Sequence, residues 1–261
     1  MMFKGKTIAI TGAAGGIGQS LCHYFGSQGA AVAAIDISPA LPDFAEELAA
    51  SGVRTCHVIA DIGDWQAVAQ GFSRISAELG DIDVLVNNAG FSSHPTHART
   101  DPHSWQHEVN GNLNGAYYCA HAVVPGMKAK GGGNIVTIGS VNGLGALGDP
   151  AYSAAKAGLV ALTRSLALEY GRFDIRANIV LPGTVRTPLW ERRAAKDPSV
   201  LEKLRRWYPL GRIVDPDDVT AAVGFLASDG ARAITGAALP VDCGLTAGNI
   251  VMARELTLEN F

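Results

Sequence analysis

The chain is poor in the features that would send it outside the cell, into a membrane or onto nucleic acid. Only four cysteines occur in 261 residues, and no two form a C-x-x-C pair. Cys22, Cys56, Cys119 and Cys243 therefore read as reduced core thiols, not a disulfide framework. No apolar run approaches the roughly 20 residues of a membrane-spanning helix. A formal net charge of −3 leaves no electrostatic footprint for nucleic acid or an anionic membrane surface. The start, Met1-Met2-Phe3-Lys4-Gly5-Lys6, lacks a signal-peptide pattern and runs straight into a strand, so a cytoplasmic location is expected. Four histidines gather at His94, His97, His103 and His107, but no cysteine or compact acidic cluster completes a ligand set, and no metal is expected.

What the chain does have is apolar residues, 48% of the total, and 31 glycines. That is ample for a full core, and one α/β domain of this length is common. Lys6 to Ile10 reads as a short strand. It enters Thr11-Gly12-Ala13-Ala14-Gly15-Gly16-Ile17-Gly18, followed by a helical pattern through Leu21, Cys22 and Phe25. A strand, a glycine-rich turn and a helix can hold a diphosphate: the glycines admit the ligand to the backbone, and the helix start offers free N–H groups. The next strand, Ala31 to Ile35, ends in Asp36. A carboxylate there can accept hydrogen bonds from ribose hydroxyls and would repel a 2′-phosphate. No Arg or Lys lies in the glycine turn or at 37 and 38, so NAD is expected over NADP; a loop cap is the plainer alternative for Asp36.

Helix and strand patterns then alternate: a helix from Ser38-Pro39 to Ala50, a strand from Arg54 to Ala60 ending in Asp61-Ile62, and a helix from Trp65 to Leu79. A strand over Asp83 to Val86 runs into Asn87-Asn88-Ala89-Gly90, and Ser104 to Lys128 reads as one long helix carrying Asn110, Asn112 and Asn114. Strands over Asn134–Gly139, Ile175–Leu181 and Ala237–Val241 complete the series, with a helix from Asp215-Pro216 to about Ala227. The alternation predicts a single-domain, doubly wound parallel sheet of about seven strands, with helices on both faces and ligands at the carboxyl ends of the strands.

The stretch from Ser140 to Lys156 carries the chemistry. Asp149-Pro150 reads as a helix start, with Asp as N-cap and Pro in the first turn. Tyr152 and Lys156 then share one helix face, a turn apart. A free phenol titrates near 10, but an ammonium beside it and the positive end of the helix favour phenolate, which makes a general acid–base of it. Ser140 closes the preceding apolar run, where a hydroxyl can hold a reacting oxygen. A surface tyrosine and a solvated lysine are the plain alternative. Residues 187–212 hold Trp190, Arg192, Arg193, Arg205, Arg206, Trp207 and Arg212 and are longer than a crossover needs, as a substrate lid would be. The basic cluster is either a solvated helix face or a site for an anionic or hydroxyl-rich substrate. The tail, 244–261, is apolar enough to pack on a neighbour.

Taken together, these segments resemble the short-chain dehydrogenase/reductase family in its single-domain form, over Lys6 to about Gly244. Thr11-Gly12…Gly16-Ile17-Gly18 is similar to the family's T-G-x-x-x-G-x-G turn, and Asn87-Asn88-Ala89-Gly90 to its N-N-A-G segment. The resemblance implies that Asp61 and Ile62 flank an adenine and that Asn88 lies along the cofactor. It further implies a catalytic tetrad of Asn112, Ser140, Tyr152 and Lys156, with Pro182, Gly183, Val185 and Thr187 at the nicotinamide end. Two departures are small: Gly139 stands where a second serine often occurs, and Ser140 to Tyr152 is one residue shorter than in some members. The implied reaction passes a hydride between a carbinol carbon and the nicotinamide. Tyr152 exchanges the proton, Lys156 lowers its pKa, Ser140 holds the oxygen and Asn112 holds a water.

For the substrate, His94, Asn142, Trp190, Arg192 and Arg193 suggest a polar small molecule. A sugar or related polyhydroxylated compound comes first, since the chain also resembles bacterial sugar dehydrogenases. An NADPH-dependent 3-oxoacyl-carrier-protein reductase comes second, and an apolar alcohol third. A protein that senses NAD without catalysis would have little need of the whole tetrad. A homotetramer is what the resemblance implies.

Overall fold

In the computed structural model residues 1–259 are described, apart from the side chains of Leu189 and Arg192. The short apolar runs become β1 (Thr7–Thr11), β2 (Ala31–Asp36), β3 (Thr55–Ile59), β4 (Val84–Asn87), β5 (Gly133–Ile138), β6 (Ile175–Pro182) and β7 (Ala238–Val241). They form one sheet in the order β3-β2-β1-β4-β5-β6-β7, every pairing parallel. Parallel strands buried on both faces need apolar residues at consecutive positions, and β1 is buried at all five. Ile8, Ile10, Val32, Val86 and Val180 pack on one face with Leu21 and Phe25 of α1 (Gly16–Ser27) and Val219 and Val223 of α9 (Pro216–Ala227). Ala9, Ala33, Leu85 and Ile135 turn to the other face, against Phe72 and Ile75 of α3 (Trp65–Leu79) and Val123 and Met127 of α5 (Gly115–Ala129). Each fully buried side chain such as Ile8 or Phe25 contributes about 1.5–3 kcal/mol.

Strand order reverses between β1 and β4, and at that switch point the turns leaving the two strands diverge and open a crevice. The turns after β1, β4, β5 and β6 all end on this edge of the sheet.

Some boundaries differ from the sequence expectations, each for a local reason. The first inter-strand helix after β2 is α2 (Leu41–Ala50), three residues later than expected, because Ser38 sits in a turn: its N–H donates to Asp36 Oδ1 and its Oγ accepts from Ala40 N. The single helix expected over Ser104–Lys128 is α4 (Pro102–Val109), a π-turn over Asn110–Asn114, and then α5. The catalytic-stretch helix is α6 (Pro150–Tyr170). Residues 187–212 contain α7 (Pro188–Lys196) and α8 (Val200–Arg205), and the tail contains α10 (Ile250–Thr257). Among the described residues no helix is long and apolar enough to cross a membrane.

Candidate active site

The glycine turn after β1 is built by close approach. A Cβ on Gly18 would collide with the carbonyl oxygen of Gly12 and lie 2.8 Å from Ala13 Cα. Gly15 is the N-cap of α1 and offers no side chain, so the first-turn N–H groups face the crevice without a side-chain acceptor. The turn is held from β4: Thr11 Oγ1 accepts from the N–H groups of Asn88 and Ala89 at 3.0 Å each, while Asn88 Nδ2 donates to Thr11 O (2.9 Å) and Gly12 O (3.0 Å). Asp36 braces the same turn, its Oδ2 accepting from Ala14 N and its Oδ1 from Ser38 N, both at 2.9 Å. The loop-cap role is thus real, and it leaves each carboxylate oxygen a further lone pair toward solvent. Asp61 Oδ1 accepts from Gly63 N at 2.8 Å, beside the buried Ile62.

Lys156 and Tyr152 face the same crevice from α6. The lysine is only 2% exposed, its Nζ donates to Ile138 O at 3.0 Å, and it stands 5.3 Å from the centroid of the Tyr152 ring. A Cβ on Gly90 would lie 2.7 Å from Asn112 Oδ1 and 3.0 Å from Lys156 Nζ, so the bare glycine lets the loop after β4, the π-turn and the lysine meet. Both amide hydrogens of Asn112 are used, on Phe91 O (2.8 Å) and Glu108 O (2.9 Å), and its Oδ1 accepts from Phe91 N at 3.2 Å. What remains to that side chain is a lone pair on Oδ1, on the side of Gly90 and Lys156.

Two electrostatic expectations are corrected. Burial pushes the Tyr152 phenol above its ordinary value; the hydrogen bond with Ser140 pulls it back, and the negative charge of Asp149 pushes it further up. Burial pushes Lys156 down to about 8. The lysine alone therefore does not make the tyrosine acidic, because the burial that brings them together disfavours both charged forms. Asp149 stands at the N-cap position of α6 but does not cap it. Its backbone is left-handed (φ 49°, ψ 69°), and its carboxylate accepts from Ser92 Oγ at 2.6 Å instead.

Ser140 Oγ accepts from Asn142 N at 3.2 Å and donates to Asn142 Oδ1 at 3.3 Å. Asn142, expected to meet substrate, spends its Nδ2 on Ser153 Oγ (3.1 Å) and Gly148 O (3.4 Å), and so fastens the Ser140 turn to α6. After β6, Pro182 to Thr187 runs beside the glycine turn, with a Cβ on Gly16 reaching within 3.0 Å of Pro188 Cδ. Val185 is buried and bridges to Val214. Tyr208, which no pattern in the sequence singled out, is buried, and its Oη accepts from Thr184 N at 2.9 Å. Asp242 was equally silent; it holds the start of the tail through Gly244 N, Thr246 N and Thr246 Oγ1.

The remaining candidates scatter. His94 is half-buried, His97, His103 and His107 are exposed, and among the described residues no group of three or more His, Cys, Asp or Glu is placed to hold a metal ion. The Arg193 guanidinium lies 4.6 Å over the half-buried Trp190 ring, while the Arg192 side chain is outside the described atoms. Acids answer much of the basic cluster: Arg205 pairs with Glu202 at 3.2 Å, and Arg212 grips Asp218 at 2.6 and 3.1 Å.

Comparison with known proteins gives this geometry its family. A family model described as enoyl-(acyl carrier protein) reductase matches residues 12–246. A solved oxidoreductase of the short-chain dehydrogenase/reductase family from Burkholderia thailandensis superposes with a TM-score of 0.92 at 50% identity, covering 98% of each chain. The chain belongs to the short-chain dehydrogenase/reductase family. It is also similar to an uncharacterised oxidoreductase of Schizosaccharomyces pombe (43% identity, 100% of this chain and 98% of that one). A 3-oxoacyl-[acyl-carrier-protein] reductase of Pseudomonas aeruginosa is 38% identical over 94% of this chain and 99% of its own. As a short-chain dehydrogenase/reductase the protein is an oxidoreductase that works with a nicotinamide dinucleotide, and the crevice fits one: uncapped N–H groups at α1, a carboxylate at the end of β2, and glycines where side chains would fill the cradle.

Proposed function

We propose that the protein is an NAD-dependent dehydrogenase that interconverts a carbinol and a carbonyl on a polar small molecule, with Tyr152 as the general acid–base. The observation that carries this reading is the meeting of Tyr152, Lys156, Ser140 and Asn112 at the switch-point crevice. Bound nicotinamide supplies the hydride chemistry. Gly12, Gly16, Ile17 and Gly18 would hold the diphosphate on the start of α1, and Asp36 the adenosine ribose, which favours NAD over NADP. Asp61 and Ile62 would flank the adenine, Asn88 would lie along the cofactor, and Pro182, Gly183, Val185 and Thr187 would line the nicotinamide end.

In oxidation Tyr152 Oη takes the hydroxyl proton. Ser140, whose hydrogen bond lowers the phenol's pKa, would hold the developing carbonyl oxygen, and Lys156 would bond the nicotinamide ribose while its charge steadies the phenolate. The free lone pair of Asn112 Oδ1, near Gly90 and Lys156, would accept from a water next to the lysine. Helices α7 and α8 would serve as the substrate lid, with Trp190, Arg193 and His94 as candidate contacts for a polar, sugar-like substrate; the expected role of Arg192 falls on a side chain outside the described atoms. A homotetramer follows from the family resemblance, and light scattering that showed a stable monomer would contradict it.

The second reading is NADPH-dependent reduction of a 3-oxoacyl thioester, favoured by the Pseudomonas aeruginosa relative and opposed by Asp36. The deciding experiment follows the absorbance of reduced nicotinamide over a panel of aldoses, acidic sugars, polyols and hydroxy acids, in parallel NAD and NADP wells. NAD-linked activity on one group carries the first reading. Silence there, with acetoacetyl thioester reduced by NADPH, carries the second. Silence in every well would leave an NAD-sensing protein without catalysis.

A further inference from the structure

Two acidic side chains outside the tetrad and the cofactor turns take hold of the loop that follows β4. Asp149 Oδ1 accepts from Ser92 Oγ at 2.6 Å, and Asp149 N donates to Pro95 O at 3.1 Å. Asp149 O meanwhile accepts from Ser153 N at 2.8 Å and so starts α6, which carries Tyr152. Glu108, on α4 and only 1% exposed, accepts from Ser93 N through Oε1 at 3.0 Å. Its Oε2 is buried with no partner. Phe91 is held on both its N–H and its carbonyl by the Asn112 amide.

A largely exposed segment is thus tied at Phe91, Ser92, Ser93 and Pro95, directly after the glycine that touches Asn112 and Lys156. Both acids are placed at a cost. A non-glycine residue in the left-handed region is strained, and a carboxylate buried with one oxygen unsatisfied loses solvation. Strain and burial of this kind persist where the surrounding structure uses them.

We propose that Asp149 and Glu108 are positioning residues that act through Ser92 and Ser93 to fix the Phe91–Pro95 segment against the start of α6 as the rigid wall of the substrate pocket. The wall and the general acid–base are then one unit, and the fit of the alcohol, with His94 presented from the middle of the wall, is set by the two carboxylates. This rests on the dehydrogenase reading of the same site.

The test combines steady-state kinetics on the panel substrate with the highest turnover and amide hydrogen exchange over residues 91–99. Asp149→Gly keeps the left-handed backbone without strain but removes the carboxylate; Ser92→Ala removes its donor. Each is expected to raise KM for the alcohol by about 5–20-fold, with KM for NAD within about twofold, and to speed exchange in the segment. In Ser92→Ala kcat stays within about twofold, whereas Asp149→Gly also removes a charge that pushes the Tyr152 phenol up and moves the pH profile of kcat toward lower pH. The double variant should be no worse than the poorer single one, since both remove the same bond. Asp149→Asn, which tolerates the left-handed backbone and keeps an acceptor, should restore near-normal KM. Glu108→Gln should do so where Glu108→Leu does not. Unchanged KM in Asp149→Gly and Ser92→Ala, or effects that multiply in the double variant, would overturn the proposal. If the unsubstituted enzyme turns over nothing, the dehydrogenase reading fails, and exchange alone decides the clamp: unchanged rates in Asp149→Gly and Glu108→Leu reject it, and faster rates support it.

Discussion

The burial that brings Tyr152 and Lys156 together works against the charged form of each. The phenol is pushed up by burial and the lysine down to about 8, so at neutral pH the lysine keeps its charge and phenolate is the scarce species. Tyr152→Phe removes one oxygen, and kcat/KM for alcohol oxidation should fall by about 10²–10⁴-fold, the usual worth of a positioned acid–base. NAD affinity, read by fluorescence titration, should stay within about twofold. A variant with undiminished turnover would remove the mechanism. In the parent enzyme oxidation should quicken as pH rises through the neutral and mildly alkaline range, because phenolate is the scarce species; a flat kcat/KM profile from pH ~7 to ~9 would contradict this.

Lys156 carries a stability consequence of its own. The folded-state value near 8 lies below the unfolded 10.5, so between those two values the unfolded chain binds more protons and stability rises with pH. Below pH 8 the full penalty of the buried ammonium applies, on the order of 3 kcal/mol at most. Lys156→Met should therefore abolish turnover while raising Tm at neutral pH, and its advantage should shrink toward pH ~10. Thermal melts at the two pH values check it; an equal shift at both would show that the lysine is not the titrating group.

At the scale of elements, local signals were legible and long-range ones were not. The glycine turn, the strand ends and the Tyr152/Lys156 face are written in consecutive residues, and the structure places them as the sequence reads. The π-turn was hidden because its reasons lie elsewhere: Asn110 donates to Gly63 O, 47 residues back, and Asn112 holds Phe91, 21 residues back. Asp149-Pro150 reads as a capped helix start, yet Ser92, 57 residues away, takes the carboxylate. The boundary was right and the role of the side chain was not. The bond from Asn142 to Ser153 was hidden for the same reason, since it forms only once α6 is packed. Gly18 tests the legible part. Alanine there would drive a methyl group into the carbonyl of Gly12, so Gly18→Ala should lose about 1–3 kcal/mol in denaturant unfolding and bind the dinucleotide more weakly. Wild-type stability and affinity in that variant would mean that the turn relaxes without consequence.

For the whole molecule, the sheet order gathers β1, β2 and β4 so that one ligand can bridge the glycine turn, Asp36 and Asn88. A ligand that bridges several elements binds the folded state alone, and folding stability then reports its identity without any substrate. With NAD at about ten times its Kd, the native state gains about 1.4 kcal/mol, worth about 3–5 °C in Tm for a chain of this size. On the proposed reading NADP at the same concentration should give much less, because its 2′-phosphate would meet the carboxylate of Asp36. Asp36→Ala should abolish the difference between the two dinucleotides. It should also lower the Tm of the free protein, since Ala14 N and Ser38 N lose their acceptor. Equal shifts by NAD and NADP in the unsubstituted protein would mean that Asp36 is a loop brace only, and the cofactor assignment would pass to the reductase reading.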